Sequence, residues 1–249
     1  LNILQKHLGK NGRIVIAIEN KYGLKYFAGC REDHVGTFFG GIENYSRGEG
    51  VRTFSRNGLE EIFKECGKTF NEYHFTLVRM IIIKKSINNN KLPIAVYSDE
   101  YQPGKGELFQ NICNFDRDRI VLFDEKKAYD ALTEEGLFSV FSNSYIAVLG
   151  ENFPVKFAKY SNDRAPKYQI RTEISKENGK WQVRKYPMTK EAEPHVRNMY
   201  QSYLQLRKRY EGSSLEVNVC ALEEKDEVCA RFEYVEGTSL LELMDSCME

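Results

Sequence analysis

The feature that most constrains the fold is an unbroken apolar run at residues 14–18, Ile-Val-Ile-Ala-Ile, which follows Gly12 and Arg13. Such a run, rich in β-branched residues, predicts a strand buried on both faces, as in a parallel sheet covered by helices. The run ends in Glu19 and Asn20. Because open α/β sheets bind ligands at the carboxyl ends of their strands, both are candidate site residues. The alternative is that they cap the next helix.

Charge and cysteine content exclude several classes of protein. The 249 residues carry 36 basic and 36 acidic side chains, so the overall charge does not favour a nucleic acid or an anionic membrane as partner, which leaves local basic patches as the alternative. The apolar stretch 80–83 is far shorter than the roughly 20 residues that cross a bilayer, and we expect no membrane span. The six cysteines are scattered, without a Cys-x-x-Cys pair. We therefore expect reduced thiols, a cytoplasmic protein and no metal site.

The remaining pattern of the first half alternates helices and strands. An opening helix is expected over residues 1–8, and a second from Leu59, capped by Ser55 or Asn57 and ended by Gly67. A third runs over residues 124–135 and stops at Gly136. Strands are predicted at 71–75, 94–97 and 145–149. Since the first helix begins at Leu1, and a new one starts at Ser239 close to the last residue, we expect both ends to be cut from a longer protein.

Four sequence segments carry a family resemblance. They are Gly-Arg-Ile-Val-Ile-Ala-Ile-Glu-Asn at 12–20, Lys-Tyr-Gly-Leu-Lys-Tyr at 21–26, Glu-Asp-His-Val-Gly at 32–36 and Arg-Thr-Phe-Ser at 52–55. Residues 1–150 resemble the C-terminal half of a bacterial class I S-adenosylmethionine-dependent methyltransferase of the glycan-cluster type. In that family the last parallel strand, a helix and a terminal antiparallel hairpin follow in this order. The resemblance implies a partial Rossmann-like sheet and a glycan or related cell-surface metabolite as substrate.

The resemblance also implies roles for individual residues. His34, beside Asp33, would act as a general base on the acceptor, and these two are the candidate catalytic residues. Glu19 and Asn20 would bind substrate or line the cofactor pocket. The family's Gly-rich loop for S-adenosylmethionine would precede Leu1, and no Gly-x-Gly-x-Gly occurs in the chain. We therefore expect this chain alone to bind the cofactor poorly or not at all.

One segment departs from the family pattern. Residues 76–90 are rich in β-branched residues and end in three asparagines, where a short Tyr- and Pro-rich segment is expected. An insertion, an aggregation-prone edge strand and a reading-frame error are the three explanations.

In the second half of the chain, apolar and polar residues alternate strictly. Residues 168–174 and 181–185 alternate on either side of Asn178-Gly179, which predicts a β-hairpin. An amphipathic helix begins near Pro194 and ends before Gly212. Residues 215–221 and 228–234 predict a second hairpin. This order resembles the N-terminal lobe of the protein-kinase and small-molecule phosphotransferase superfamily over about residues 155–249.

The kinase-like resemblance implies a nucleotide site. Lys185 would hold the phosphates of ATP, with Glu191 or Glu193 as its helix partner, and residues 233–237 would form the hinge. A snorkelling surface lysine is the alternative for Lys185. Residues 161–166 contain no glycine where a phosphate loop is expected, and the catalytic aspartates would follow Glu249. We therefore do not expect phosphoryl transfer by this chain.

The sequence predicts an α/β domain over residues 1–150, the C-terminal part of a methyltransferase-like domain. A truncated kinase-N-lobe-like α+β domain is predicted over 151–249. The first functional hypothesis is a methyltransferase fragment, inactive alone. The alternatives are a non-catalytic nucleotide- or partner-binding module with a kinase-like fold, and a structural protein without a site.

Overall fold

The computed structural model of the chain describes residues 1–9, 12–46, 50–68, 75–80, 95–104, 120–149, 154–214, 220–224, 228–238 and 240–247. The chain divides into two compact units. The first unit comprises Leu1–Ser86 and Val96–Phe153, and the second comprises Ile87–Ala95 and Pro154–Glu249. Each unit contains an antiparallel sheet with helices, so the chain is a mixed α/β protein.

The first unit begins with a short helix and a strand. Its helices are α1 (Asn2–Gln5), α2 (Leu24–Phe27), α3 (Arg56–Lys68), α4 (Glu125–Glu134) and α5 (Phe138–Phe141). Its strands are β1 (Ile14–Glu19), β2 (Phe75–Met80), β3 (Ala95–Tyr97, of which Ala95 is counted with the second unit) and β4 (Ser144–Leu149), in the order β1-β4-β2-β3. Strand β4 is antiparallel to both β1 and β2. Strands β1 and β2 therefore run in the same direction on either side of β4, and α3 connects them along the chain.

Strand β1 corrects two expectations. It forms where the apolar run predicts it, but its described neighbour is the antiparallel β4 rather than a parallel strand. It is also buried on one face only, since Val15 is 63% exposed while Ile14 is buried. Ile14 packs with Leu59 and Phe63 of α3. Because α3 covers only the face that carries Ile14, the alternate residues of β1 stay in solvent.

Local capping signals set the helix bounds of this unit. Ser55 Oγ accepts a hydrogen bond from the backbone N–H of Gly58, so Ser55 is the cap of α3, and the helix continues one residue past Gly67. Asp124 accepts from the backbone N–H groups of Lys126 and Lys127 and caps α4. Gly136 follows α4 with φ of 68°. The predicted helix at 124–135 and strand at 145–149 are confirmed, whereas the helix predicted over 1–8 shortens to α1.

The second unit is a five-stranded sheet with one long helix. Its strands are β5 (Val155–Tyr160), β6 (Ile170–Glu177), β7 (Lys180–Pro187), β8 (Cys220–Glu224) and β9 (Val228–Glu233), in the order β5-β6-β7-β9-β8. The described helices are α6 (Glu193–Arg209) and α7 (Leu240–Ser246), with 3₁₀ turns at Pro166–Tyr168 and Lys190–Ala192. The described strand pairs are all antiparallel.

The hairpin and the helix of the second unit follow their sequence signals. Asn178 and Gly179 have φ of 50° and 79°, the left-handed conformations that a tight two-residue turn needs. Helix α6 packs Val196 and Tyr203 against Ile170 and Ala230 of the sheet. The predicted hairpin and helix are confirmed. Residues 81–90, 215–219 and Ser239, on which other predictions fall, lie outside the described residues.

Candidate functional site

The carboxyl end of β1 leads into Asn20, whose side chain is fully buried. Its Nδ2 donates to the carbonyl oxygens of Val140 at 2.7 Å and Ser142 at 2.8 Å. Its Oδ1 accepts from the backbone N–H of Tyr22 at 2.9 Å. These contacts hold the turn after β1 against the segment before β4, so the amide is used by the fold; the N-cap of the next helix, α2, is Gly23 and not Asn20. Glu19, half-buried, ends β1 opposite Ser144.

Helix α2 brings a buried cation to Asp33. Lys25 is 4% exposed, and its Nζ forms an ion pair with Asp33 Oδ2. Tyr26 OH donates to the same oxygen at 2.9 Å. Burial raises the pKa of Tyr26 well above its usual range, and the Asp33 carboxylate adds to this, so the phenol stays a proton donor. Asp33 is thus fixed through one oxygen by two side chains.

The other oxygen of Asp33 is available to a ligand. The side chain is 34% exposed, and the described residues give Oδ1 no hydrogen-bond donor. A carboxylate that is held through Oδ2 and open at Oδ1 can accept a hydrogen bond, or a proton, from a hydroxyl or amine of a substrate.

Helix α2 is itself fixed at both ends. The backbone N–H of Lys25 donates to Asn143 Oδ1 at 2.9 Å. After α2, Gly29 has φ of 103°, and a Cβ there would lie 2.0 Å from the carbonyl oxygen of Ile120. Only glycine allows the two backbones to approach this closely. The position of Lys25, and hence that of Asp33, is therefore set by segments more than 90 residues further along the chain.

Glu32, which precedes Asp33 in the sequence, is the centre of a buried hydrogen-bond network. Glu32 Oε2 accepts from the backbone N–H groups of His34 and Val35, both at 2.7 Å. Glu32 Oε1 accepts from Tyr45 OH at 3.0 Å. The same hydroxyl accepts from the backbone N–H of Thr53 at 2.8 Å. Burial raises the pKa of Tyr45, which keeps its hydroxyl protonated. The network ties the loop around His34 to residues 45 and 53.

His34 lies on the surface of this loop. Its backbone N–H is used by Glu32, and its side chain is exposed. His34 and the partly exposed Asp33 are neighbours in sequence, but Asp33 is held by Lys25 and Tyr26 while the imidazole stands in solvent. Asp33 therefore has a defined orientation, whereas the imidazole of His34 is exposed to solvent.

The loop that follows His34 forms a cavity of about 280 Å³. Its apolar lining is Val35, Phe38 and Tyr45, and its polar lining includes Thr37, Glu43 and Ser46. Tyr45 is shared between this cavity and the Glu32 network. The cavity thus lies directly after the Asp33-His34 pair in sequence and is connected to the buried network below it.

Sequence reasoning missed most of the residues that build this region. Lys25, Tyr26, Glu32, Tyr45 and Thr53 were not predicted as site residues. The segments that carry the family resemblance contain Lys25, Tyr26, Glu32 and Thr53, and this was the available signal. Lys25 lies in α2 and Asp33 in the loop after it, so their contact depends on the turn between them and not on a helical or strand period.

In the second unit, Lys185 lies in the central strand β7. It is half-buried and pairs across the sheet with Thr172 of β6 and Ala230 of β9. Its Nζ lies 5.7 Å from the ring centroid of Phe232. Glu193 is the first residue of α6, and Glu191 lies in the preceding turn. Within the described part of the chain, the structure gives Glu193 no ion pair with Lys185.

No group of three or more His, Cys, Asp or Glu side chains among the described residues is arranged to hold a metal ion. None of the helices in the described ranges combines the length and apolar character needed to cross a bilayer.

The chain was also compared with known proteins. No protein-family model, no curated protein and no solved structure matches it. The site is therefore defined by its own geometry: a half-open carboxylate at Asp33, a buried network at Glu32 and a cavity beside them.

Proposed function

We propose that this chain is part of an S-adenosylmethionine-dependent methyltransferase that acts on a glycan or related cell-surface metabolite. In this proposal, residues 19–54 form the acceptor side of its site. The observation that carries the proposal is the anchored Asp33, whose Oδ2 is held by Lys25 and Tyr26 while Oδ1 has no donor among the described residues.

The order of elements supports the same proposal. Strand β1, helix α3 and strand β2 form a β–α–β crossover, and β4 returns antiparallel between the two strands. A strand, a helix and an antiparallel strand pair is the order that the resemblance to the methyltransferase family implies. A partial Rossmann-like sheet is therefore the finer description that we propose for the first unit.

The residues present fit the acceptor side of such a site and not the cofactor side. S-adenosylmethionine supplies an electrophilic methyl group, and the family binds it on a Gly-rich loop. No Gly-x-Gly-x-Gly occurs in the 249 residues, so we assign no cofactor contact to this chain. The proposal requires that a longer form of the protein carries this loop.

On the acceptor side, Asp33 has the defined role. Its Oδ1 would accept the hydrogen of the acceptor hydroxyl or amine and take the proton as that group becomes a nucleophile. Lys25 and Tyr26 would be positioning residues, since they hold the other oxygen. His34, exposed beside it, would relay the proton to solvent or replace Asp33 as the base. Glu19, half-buried at the end of β1, stays a proposed substrate contact.

Calorimetry and a transfer assay test the proposal. S-adenosylmethionine is titrated into this chain and into a longer form that carries a Gly-rich loop, and we expect heat of binding only from the longer form. In that form, Asp33→Asn should leave cofactor binding intact and lower transfer of labelled methyl groups to a cell-surface glycan extract by about 100-fold or more. The matched control is Asp163→Asn, an exposed turn residue, which should change neither. Absence of cofactor binding by the longer form would refute the proposal.

The stability of the Asp33 variant needs its own measurement. Asp33→Asn leaves Lys25 without its carboxylate, so melting temperatures must accompany the assay. Lys25→Met with Asp33→Asn removes the buried charge together with its partner. If both variants fold and both transfer methyl groups at the wild-type rate, Asp33 has no part in the chemistry.

The second unit supports an alternative function, a nucleotide- or partner-binding module with a kinase-like fold. The observation that favours it is Lys185, half-buried in the central strand β7. Since a ligand of the native state raises the melting temperature, ATP should do so for the wild-type chain and not for Lys185→Ala. Lys180→Ala, at the exposed start of the same strand, is the matched control. Equal shifts in the wild type and Lys185→Ala would remove Lys185 from the site, and no shift would leave only partner binding.

A further inference from the structure

The cavity after His34 is built by an unusual backbone. Phe39, Asn44 and Tyr45 all have positive φ, at 60°, 60° and 57°. Asparagine tolerates this conformation, but bulky aromatic residues rarely adopt it. The turn is closed by a hydrogen bond from the backbone N–H of Tyr45 to the carbonyl oxygen of Gly40 at 2.7 Å. Strain of this kind persists where the surrounding structure fixes it, and it concentrates at ligand sites.

The cavity is also kept open by the absence of a side chain. A Cβ at Gly40 would lie 2.5 Å from Thr37 Oγ1 and 3.2 Å from Val35 Cγ2, and both of these residues line the cavity. Any side chain at position 40 would thus push into the cavity wall. The turn therefore depends on glycine for space, since no positive φ is involved at this position.

The size and chemistry of the lining restrict the ligand. At about 280 Å³ the cavity is just below the range of roughly 300–1,000 Å³ of sites for drug-sized ligands, so its ligand is small. The partly exposed ring of Phe38 offers apolar surface to the C–H face of a ring, whereas Tyr45, which is 7% exposed, adds only a small part of the lining. Thr37 and Ser46 offer hydroxyl groups, and the Glu43 carboxylate accepts hydrogen bonds from hydroxyl groups.

The charges around the cavity favour an uncharged ligand. Among the described residues that line it, Glu43 alone is charged, so a phosphate or carboxylate on the ligand would meet a like charge. Arg31 and Arg52 lie against the rings of Phe38 and Tyr45, at 4.1 Å and 5.6 Å from the ring centroids. These guanidinium groups repel an ammonium group and attract an anion, while Glu43 does the reverse, so a charged group of either sign on the ligand meets at least one like charge.

From this combination, we propose that the cavity lined by residues 35–46 binds one uncharged sugar ring. The ring would stack on Phe38 and donate its hydroxyl hydrogens to Glu43. That this sugar is the methyl acceptor rests on the proposed function, whereas its binding does not. Because the cavity belongs to the described fold of this chain, sugar binding should occur without the cofactor.

Saturation-transfer NMR with the full chain tests this proposal. The probes are the methyl glycosides of glucose, galactose and mannose, with glucosamine and glucose 6-phosphate as charged comparators. We expect transfer to at least one neutral glycoside and a dissociation constant at least tenfold weaker for both charged sugars. Transfer to none of the neutral glycosides, or tighter binding of a charged sugar, would overturn the proposal.

Matched variants place the sugar in this cavity. Gly40→Ala should abolish transfer because its methyl group occupies the cavity wall, while Gly58→Ala, whose Cβ meets its nearest neighbour at an ordinary 3.5 Å, should keep it. Glu43→Gln should weaken binding roughly five- to tenfold by removing a charge-assisted hydrogen bond, and exposed Glu65→Gln should not. Since Glu43 is exposed, its variant will fold even if Gly40→Ala does not.

The outcomes separate this proposal from the proposed function. Sugar binding that persists unchanged in both Gly40→Ala and Glu43→Gln would place the sugar elsewhere and overturn the inference. Sugar binding in this cavity, together with no methyl transfer by the longer form, would uphold the inference and refute the methyltransferase.

Discussion

At the scale of single residues, buried polar side chains of the first unit connect segments far apart in sequence. Asn20 reaches carbonyl groups 120 and 122 residues away. Glu32 accepts three hydrogen bonds while almost fully buried. A buried polar group that is fully hydrogen-bonded specifies one arrangement, because every partner that is lost leaves an unsatisfied group. These residues therefore fix where the loops around Asp33 lie.

A substitution at Asn20 measures this role. Asn20→Ala should lower the free energy of unfolding by about 1–3 kcal/mol, because the carbonyl oxygens of Val140 and Ser142 lose their donor. Denaturant unfolding followed by far-ultraviolet circular dichroism measures the change. Asn198→Ala, exposed in α6, is the matched control and should change stability by less than about 0.5 kcal/mol. Equal effects of the two substitutions would contradict the buried role of Asn20.

Contacts of this kind could not be predicted from sequence. Asn20 is recognisable as a polar residue at the end of an apolar run, and Asp33 from the segment 32–36 that carries the family resemblance, but their partners are not. Lys25 and Tyr26 meet Asp33 only because the backbone turns between them, and Asn143 meets Lys25 only because β4 pairs with β1. The candidate residues could be named from the sequence, whereas their geometry depends on tertiary structure.

At the scale of elements, signals contained within one segment were reliable. Asp124 and Gly136 mark the two ends of α4, and Asn178-Gly179 marks the turn between β6 and β7. Each is a local backbone requirement that tertiary packing does not change. The apolar run of β1 is different, since it is reliable for the strand but not for the faces that are covered. The run predicts a strand covered on both faces, and such coverage is typical of parallel sheets. Both expectations are wrong for β1, because the number of helices that pack on a sheet does not depend on the strand's own sequence.

The turn at Gly179 provides a test at this scale. Gly179→Ala should destabilise the second unit by about 1–2 kcal/mol, because φ of 79° is a left-handed conformation that costs a residue with a Cβ. The change is read from the fluorescence of Trp181, the single tryptophan of the chain, on the adjoining strand. Gly237→Ala, where φ is not positive and no atom lies within 4 Å of the added Cβ, should be neutral. A neutral Gly179→Ala would mean that the turn relaxes to another type.

At the scale of the whole molecule, the chain has two compact units with separate hydrophobic clusters. One cluster contains Leu59 and Phe63 of α3, and the other contains Val196 and Tyr203 of α6. In the first unit, consecutive residues of β4 are buried, so both faces of that strand are covered. Tyrosines with raised pKa values lie in both units, so the free energy of unfolding should fall at alkaline pH.

The separate clusters predict separate responses to substitution. Phe63→Ala should destabilise the first unit by about 3–5 kcal/mol, because it leaves a cavity beneath α3. The Trp181 fluorescence transition should stay in place while part of the circular dichroism signal unfolds earlier. Val196→Ala should do the reverse. Transitions that move together in both variants would show that the units unfold as one cooperative body.

The buried tyrosines predict loss of stability at high pH. Burial raises the pKa of Tyr145 from 10.0 to about 12, and burial next to Cys229 raises that of Tyr186 from 10.0 to about 12. Above about pH 10 the unfolded chain releases these protons before the folded chain does, so folding is progressively disfavoured between about pH 10 and 12. Below that window their contribution is constant. Denaturant midpoints across this range, with tyrosinate absorbance in parallel, measure the effect; unchanged midpoints would contradict it.

The position of β4 has a consequence for synthesis on the ribosome. Residues 144–149 are the last strand of the first unit, yet they pair with both β1 and β2. Until residue 149 has left the exit tunnel of the ribosome, the edges of β1 and β2 that β4 joins stay unpaired. Nascent chains with such edges recruit chaperones or associate with one another. The sheet of the first unit therefore cannot form strand by strand as the chain emerges from the ribosome. Slow translation before residue 144 would prolong the stage at which the nascent chain is most prone to aggregate.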